Sequence, residues 1–168
     1  MNAKDELRRQ FEFLYYTVDV NTEGLSQEDS LRQPEPGGNC ANWILGHLTV
    51  VQNRVLDLLG EAPILEHPNL PVGEQPPITG PGNALPFAEM RDEFLGSAER
   101  CTNGVAGLTD AQLDERGFVD PFGKPTTRGS LISFLAFHQA YHAGQLGLSR
   151  RLAGFPGAIA APAATPLP

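Results

Sequence analysis

At 168 residues and 40% hydrophobic content, the chain is long enough to bury one sizeable core and short for two, which predicts a single domain. A formal charge of −8, with Lys and Arg gathered no further than the pairs Arg8-Arg9 and Arg150-Arg151, speaks against nucleic acid as a partner. The amino end, Met1-Asn2-Ala3-Lys4-Asp5-Glu6, carries no apolar core of a signal peptide, and no later run approaches membrane length; a cytoplasmic protein with no membrane partner is expected.

Taken in order, Leu7, Phe11, Leu14, Tyr15 and Val18 recur at helical spacing and predict a first helix over about Lys4 to Val20. A connector follows, with one short turn at Ser26 to Ser30 and breaks at Pro34, Pro36 and Gly37-Gly38. Asn39 or Asn42 then offers an N-cap for a second helix, which Gly60 stops, with Trp43, Ile44, His47, Leu48, Val51, Val55 and Leu58 on its buried side. Gly60 to Leu85 is irregular and dense in proline and glycine, as expected of a loop that covers a site or crosses between opposite ends of a bundle. Pro86 opens a third helix to about Val105. Leu108 to Thr127 repeats the connector pattern, with a short turn at Thr109 to Gln112 and a brief strand at most at Phe118-Val119. Thr126 or Thr127 caps the fourth helix, Gly154 and Pro156 end it, and the Ala-Pro-rich tail 157–168 is expected to be disordered. Four amphipathic helices without alternating strand patterns predict an all-α bundle over residues 1–156.

Cys40 and Cys101 form no Cys-x-x-Cys pair, so reduced thiols are expected and neither is given a role. The histidines are more informative. His138 and His142 lie one helical turn apart and point the same way, with Leu131, Phe134, Leu135, Leu146 and Leu152 sharing or flanking their face. Imidazoles aimed into an apolar interior need partners. Bonding to backbone or side chains is one solution. A metal ion is the other, since i,i+4 imidazoles can close on one cation and mid-helix His47 would supply a third ligand. His67, before Pro68 in the long loop, reads as solvated.

Two segments carry a resemblance. Asn42-Trp43-Ile44-Leu45-Gly46-His47-Leu48 and His138-Gln139-Ala140-Tyr141-His142-Ala143-Gly144-Gln145 are similar to the signature segments of the DinB-like superfamily, which includes the damage-inducible DinB proteins and YfiT-type metal-dependent hydrolases. The resemblance implies an up-down-down-up four-helix bundle, divalent metal binding by His47, His138 and His142, nickel or zinc in most members, and a homodimer. Some members are thiol-dependent transferases or isomerases. Gln139 stands where a His-Glu-x-x-His protease carries its general base, and no other carboxylate falls on the site face of the second or fourth helix, so peptide hydrolysis by that route loses support. The expectation is therefore a metal-dependent transferase that directs a low-molecular-weight thiol at a small electrophile. The alternatives are a hydrolase using metal-bound hydroxide, or a bundle that the metal only stabilises or senses. No catalytic residue is assigned. Gln145 and Arg54 are candidates for contacts to water or substrate, or for packing and surface roles, and Trp43, Phe134, Phe137 and Tyr141 for pocket lining or core.

Overall fold

Several helices begin where a side chain can satisfy their first N–H groups. In the computed structural model, which describes residues 2–35, 37–71, 78 and 80–158, Asn2 and Asp5 form a capping box at the start of α1 (Ala3–Thr22). Ser26 and Asp29 do the same for the single turn α2 (Gln27–Ser30). α3 spans Ala41–Leu59 and ends on Gly60 in the left-handed conformation. A 3-10 turn at Pro81–Asn83 precedes α4 (Phe87–Gly96) and α5 (Ala98–Gly107). The short α6 (Asp110–Leu113), strands β1 (Arg116–Val119) and β2 (Pro125–Thr127), and the long α7 (Arg128–Leu152) complete the order.

α1 lies against α7 on one side and α4–α5 on the other, and α3 also touches both. Phe11, Leu45, Leu48, Phe94, Ile132 and Leu146 are among the residues fully buried between them. Among the described residues no helix is long and apolar enough to cross a membrane.

Several expectations change. The molecule is mostly helical, but β1 and β2 pair antiparallel into a small sheet, so an all-α description is incomplete. The two strands are linked by a turn at Asp120–Lys124 in which Asp120 Oδ1 accepts from the N–H groups of Phe122 (2.9 Å) and Lys124 (2.8 Å), a local bonding pattern that a scan for alternation misses. The single third helix is two, interrupted at Gly96-Ser97. There the Ser97 hydroxyl donates to the Phe94 carbonyl (2.7 Å) and shares a hydrogen bond with the Tyr15 hydroxyl (2.8 Å), drawing the backbone out of helical register. Burial drives the Tyr15 hydroxyl pKa well above its ordinary value. The N-cap of α3 is Cys40, without a side-chain cap, rather than Asn39 or Asn42. Leu152, expected with the core, is 42% exposed at the end of α7. Cys40 and Cys101 are buried free thiols. Residues 159–168 of the tail expected to be disordered, and 72–77 and 79 of the loop expected to cover the site, lie outside the described residues.

Asn42 is used differently, and its use fixes the loop. Its Nδ2 donates to the Leu85 carbonyl (2.9 Å), and the Leu85 N–H donates to its Oδ1 (2.9 Å). Gln27 grips the same point, donating to the Leu85 carbonyl (3.0 Å) and accepting from Phe87 N–H (2.8 Å). At the loop's other end, Asn53 donates to the Leu65 carbonyl (2.8 Å) and accepts from Ile64 N–H (2.9 Å). One turn after Asn42, Gly46 lets the loop touch α3: a Cβ there would fall 2.6 Å from Leu85 Cδ1 and 2.9 Å from Pro71 Cδ. Gly46→Ala is thus expected to cost roughly 1–3 kcal/mol through overpacking, read as a lowered urea midpoint at unchanged slope. An unaltered midpoint would show that the loop does not pack there.

Candidate metal centre

The sequence Asn42-Trp43-x-x-Gly46-His47 contains two interleaved i,i+4 pairs. Asn42 and Gly46 face the loop, whereas Trp43 and His47 stack on one another with ring centroids 5.1 Å apart at 15°. α7 supplies the other two imidazoles, His138 and His142, whose centroids lie 4.6 Å apart at 76°. Packing of α3 on α7 brings all three together. His47 Nε2 and His138 Nε2 are 2.9 Å apart, and one donor nitrogen from each of the three lies within 4.8 Å of the others. No Asp, Glu or Cys among the described residues joins this cluster.

The environment keeps the rings neutral. Burial, then the neighbouring His142 and His138, push the His47 pKa from 6.5 down to about 4. Burial and then His142 lower His138; burial also lowers His142, against an opposing bond to Gln145. Neutral imidazoles with bare ring nitrogens are what a divalent ion needs. His47 Nδ1 is buried without a hydrogen bond of good geometry, although the Pro71 carbonyl beside the ring partly favours its protonation.

Gln145 has a definite place. Its Oε1 lies 2.8 Å from His142 Nδ1, and because an amide oxygen only accepts, His142 carries its proton on Nδ1 and keeps Nε2 free to ligate. Its spacing from the histidines suggested a contact to water or substrate, or packing; the structure instead bonds it to His142. The other candidates are not brought in. His67 is a half-buried loop residue whose Nδ1 accepts from Asn69 N–H (3.1 Å), and Arg54 pairs on the surface with Asp57 (2.5 Å). Of the four aromatics, Trp43 is buried and Phe134 half-buried. Phe137 and Tyr141 are 68% and 60% exposed, so neither is core. Phe122 was missed because it lies outside every helix pattern, yet its ring meets that of Phe134.

The sequence model of the DinB superfamily matches residues 10–146, most of the chain. The chain belongs to the DinB superfamily. Its three-histidine cluster fits a metal-binding protein of that superfamily. Among solved structures, one described as a conserved protein of locus from Enterococcus faecalis is similar with a TM-score of 0.67 at 15% identity, over 91% of this chain and 98% of that one. At that identity the likeness concerns the fold alone. No curated protein sequence matches.

Protons and metal compete for the same lone pairs, so competition begins only as pH falls through the pKa values of the metal-free rings. All three lie below the ordinary 6.5, His47 at about 4. Affinity for zinc, measured against a chromophoric chelator, is accordingly expected to decline less between pH 7 and about pH 5 than three imidazoles of ordinary pKa would allow. A three-proton slope setting in already at 6.5 would contradict the lowered values.

Proposed function

We propose that this chain is a metal-dependent transferase in which His47, His138 and His142 hold one divalent ion, nickel or zinc, and a low-molecular-weight thiol is directed at a small electrophile. The observation that carries the reading is the donor set: three neutral imidazoles with, among the described residues, no Asp, Glu or Cys joining them. Gln145, the side chain best spaced to plug the remaining position, is engaged on the far nitrogen of His142 instead. Structural sites are closed by four protein ligands, whereas catalytic ones keep a vacancy. When bound, a divalent ion makes a thiol or water beside it reactive near neutral pH without a protein base, which matches a cluster lacking carboxylates. The chain's own contribution is to fix ring orientation through Gln145 and to pack Trp43 and Phe134 against the ligand rings. Within this reading α1, α3, α4–α5 and α7 are the four helices of an up-down-down-up bundle.

The cobalt-loaded protein tests it. Added thiols should perturb the d-d spectrum, and His47→Ala and His142→Ala should each lose stoichiometric metal. Retained metal in those variants removes the site. A spectrum indifferent to thiols and small anions, with an apo form that melts far below the holo form, would leave a purely stabilising metal. Response to hydrolysable substrates but not to thiols would favour the hydrolase.

A homodimer belongs to the same proposal, and we assign its face to the groove of about 420 Å³ between α1 and α7. None of the triad lines this groove. Its lining residues are uncharged, and Phe13 and Phe137 within it are 67% and 68% exposed. Beyond one end lie Glu6, Asp110 and Asp114, with Lys4 4.0 Å from Asp110; beyond the other lies Arg151. A two-fold axis through the middle sets unlike ends together, so a chain of charge −8 can meet its copy where repulsion is least. Light scattering at micromolar concentration should give a dimer for the native chain and a monomer for Phe137→Glu. A monomeric native chain would remove the proposal.

A further inference from the structure

We infer that the metal centre is built to receive an aromatic or flat apolar group on its ligand or substrate, with Phe122 as the residue that selects it; the inference rests on the open site proposed above. Each histidine carries one aromatic ring. Trp43 stacks on His47 (5.1 Å, 15°), Phe134 stacks on His138 (5.9 Å, 20°), and Tyr141 meets His142 edge-on (5.1 Å, 80°). A fourth ring, Phe122, packs edge-on against Phe134 (5.8 Å, 81°) while remaining 74% exposed.

Phe122 sits in a turn, where a polar side chain would leave less apolar surface in water. The turn is firmly held. Besides the two bonds to Asp120 Oδ1, Asp120 N–H donates to the Lys124 carbonyl (2.9 Å) and Gly123 N–H to the Asp120 carbonyl (3.0 Å). Gly123 adopts a φ of 78°, which favours glycine. Arg128 anchors the strands, donating to the Leu58 carbonyl and the Glu115 carboxylate, with its guanidinium over the Phe118 ring at 5.6 Å. The hairpin thus presents an exposed ring in a fixed position beside the ring that stacks on His138.

Tyr141 adds a second exposed ring beside the histidines. It is 60% exposed and lies seven residues beyond Phe134 on α7, about 10 Å along the axis at 1.5 Å per residue. Along α7 the order is Phe134, His138, Tyr141, His142, so the two ligand-candidate imidazoles alternate with two aromatic rings, each in contact with one of them. Rings of this kind favour edge-to-face and offset contacts with a further aromatic group. The four rings themselves carry no charge, so an apolar group gains contact area against them.

Trp43 is the chain's single tryptophan and its ring stacks on His47, so its fluorescence reports occupancy of the site. Zinc-loaded protein would be titrated with benzyl mercaptan against 2-mercaptoethanol, and with benzoate against acetate. The aromatic member of each pair is expected to bind about two- to tenfold more tightly. Phe122→Ala should abolish that preference at unchanged zinc content, and Phe122→Trp should restore it. Equal affinities in the native protein, or a preference that survives Phe122→Ala, would overturn the inference. So would a loss of preference accompanied by a change in hydrodynamic mass, which would make Phe122 a subunit contact. A preference seen with benzoate but no response to either thiol would keep the aromatic collar and remove thiol transfer; thiols binding without preference would do the reverse.

Discussion

A polar cluster half-buried between apolar helices constrains everything packed around it, and here that cluster is the meeting of His47 with His138 and His142 where α3 crosses α7. Three imidazoles share the space, and among the described residues no carboxylate joins them. Protonating one would set a charge in a partly desolvated site beside two further rings, which is why burial leads the lowering of all three pKa values. A cation that accepts all three lone pairs resolves the frustration that a proton cannot.

The surroundings serve that meeting. Asn42 and Gly46, one turn apart on α3, dock Leu85 and Pro71 from the long loop, while Trp43 and His47 face the site from the adjacent strip of the same helix. One six-residue segment therefore combines loop attachment with metal-facing chemistry. On α7 the division is similar. Gln145 bonds to His142 and sets its tautomer, whereas Ala143 and Leu146, fully buried, belong to the core. The Gln27 side chain extends the arrangement to α2 and the start of α4, donating to the Leu85 carbonyl and accepting from Phe87 N–H.

The aromatic residues divide by what they touch rather than by their spacing. Phe11 and Phe94 are enclosed between helices and act through burial alone. Trp43 and Phe134 stack on ligand-candidate imidazoles. Phe13, Phe122, Phe137 and Tyr141 keep most of their surface in water. Phe13 and Phe137 line the α1–α7 groove, whereas Phe122 and Tyr141 lie beside the rings around the histidine cluster.

By itself the sequence determined the parts governed by local periodicity. The spans of α1, α3 and α7, the single turns α2 and α6, and the three histidines with their shared facing all follow from i,i+4 spacing and from caps such as Thr127 and Gly60. Tertiary structure decided the rest, because those choices depend on partners distant in the chain. Ser97 interrupts what periodicity reads as one helix, with its hydroxyl bonded to Phe94 and to Tyr15 some eighty positions away. Asn42 gave up the N-cap role for Leu85. The hairpin escaped because Pro125, Gly123 and Pro121 look like breakers until Asp120 binds the turn and β1 pairs with β2. Only the packing of α3 on α7 could show which nitrogen of His142 is left bare and that Phe122 stands beside Phe134, since neither is encoded within one helical turn.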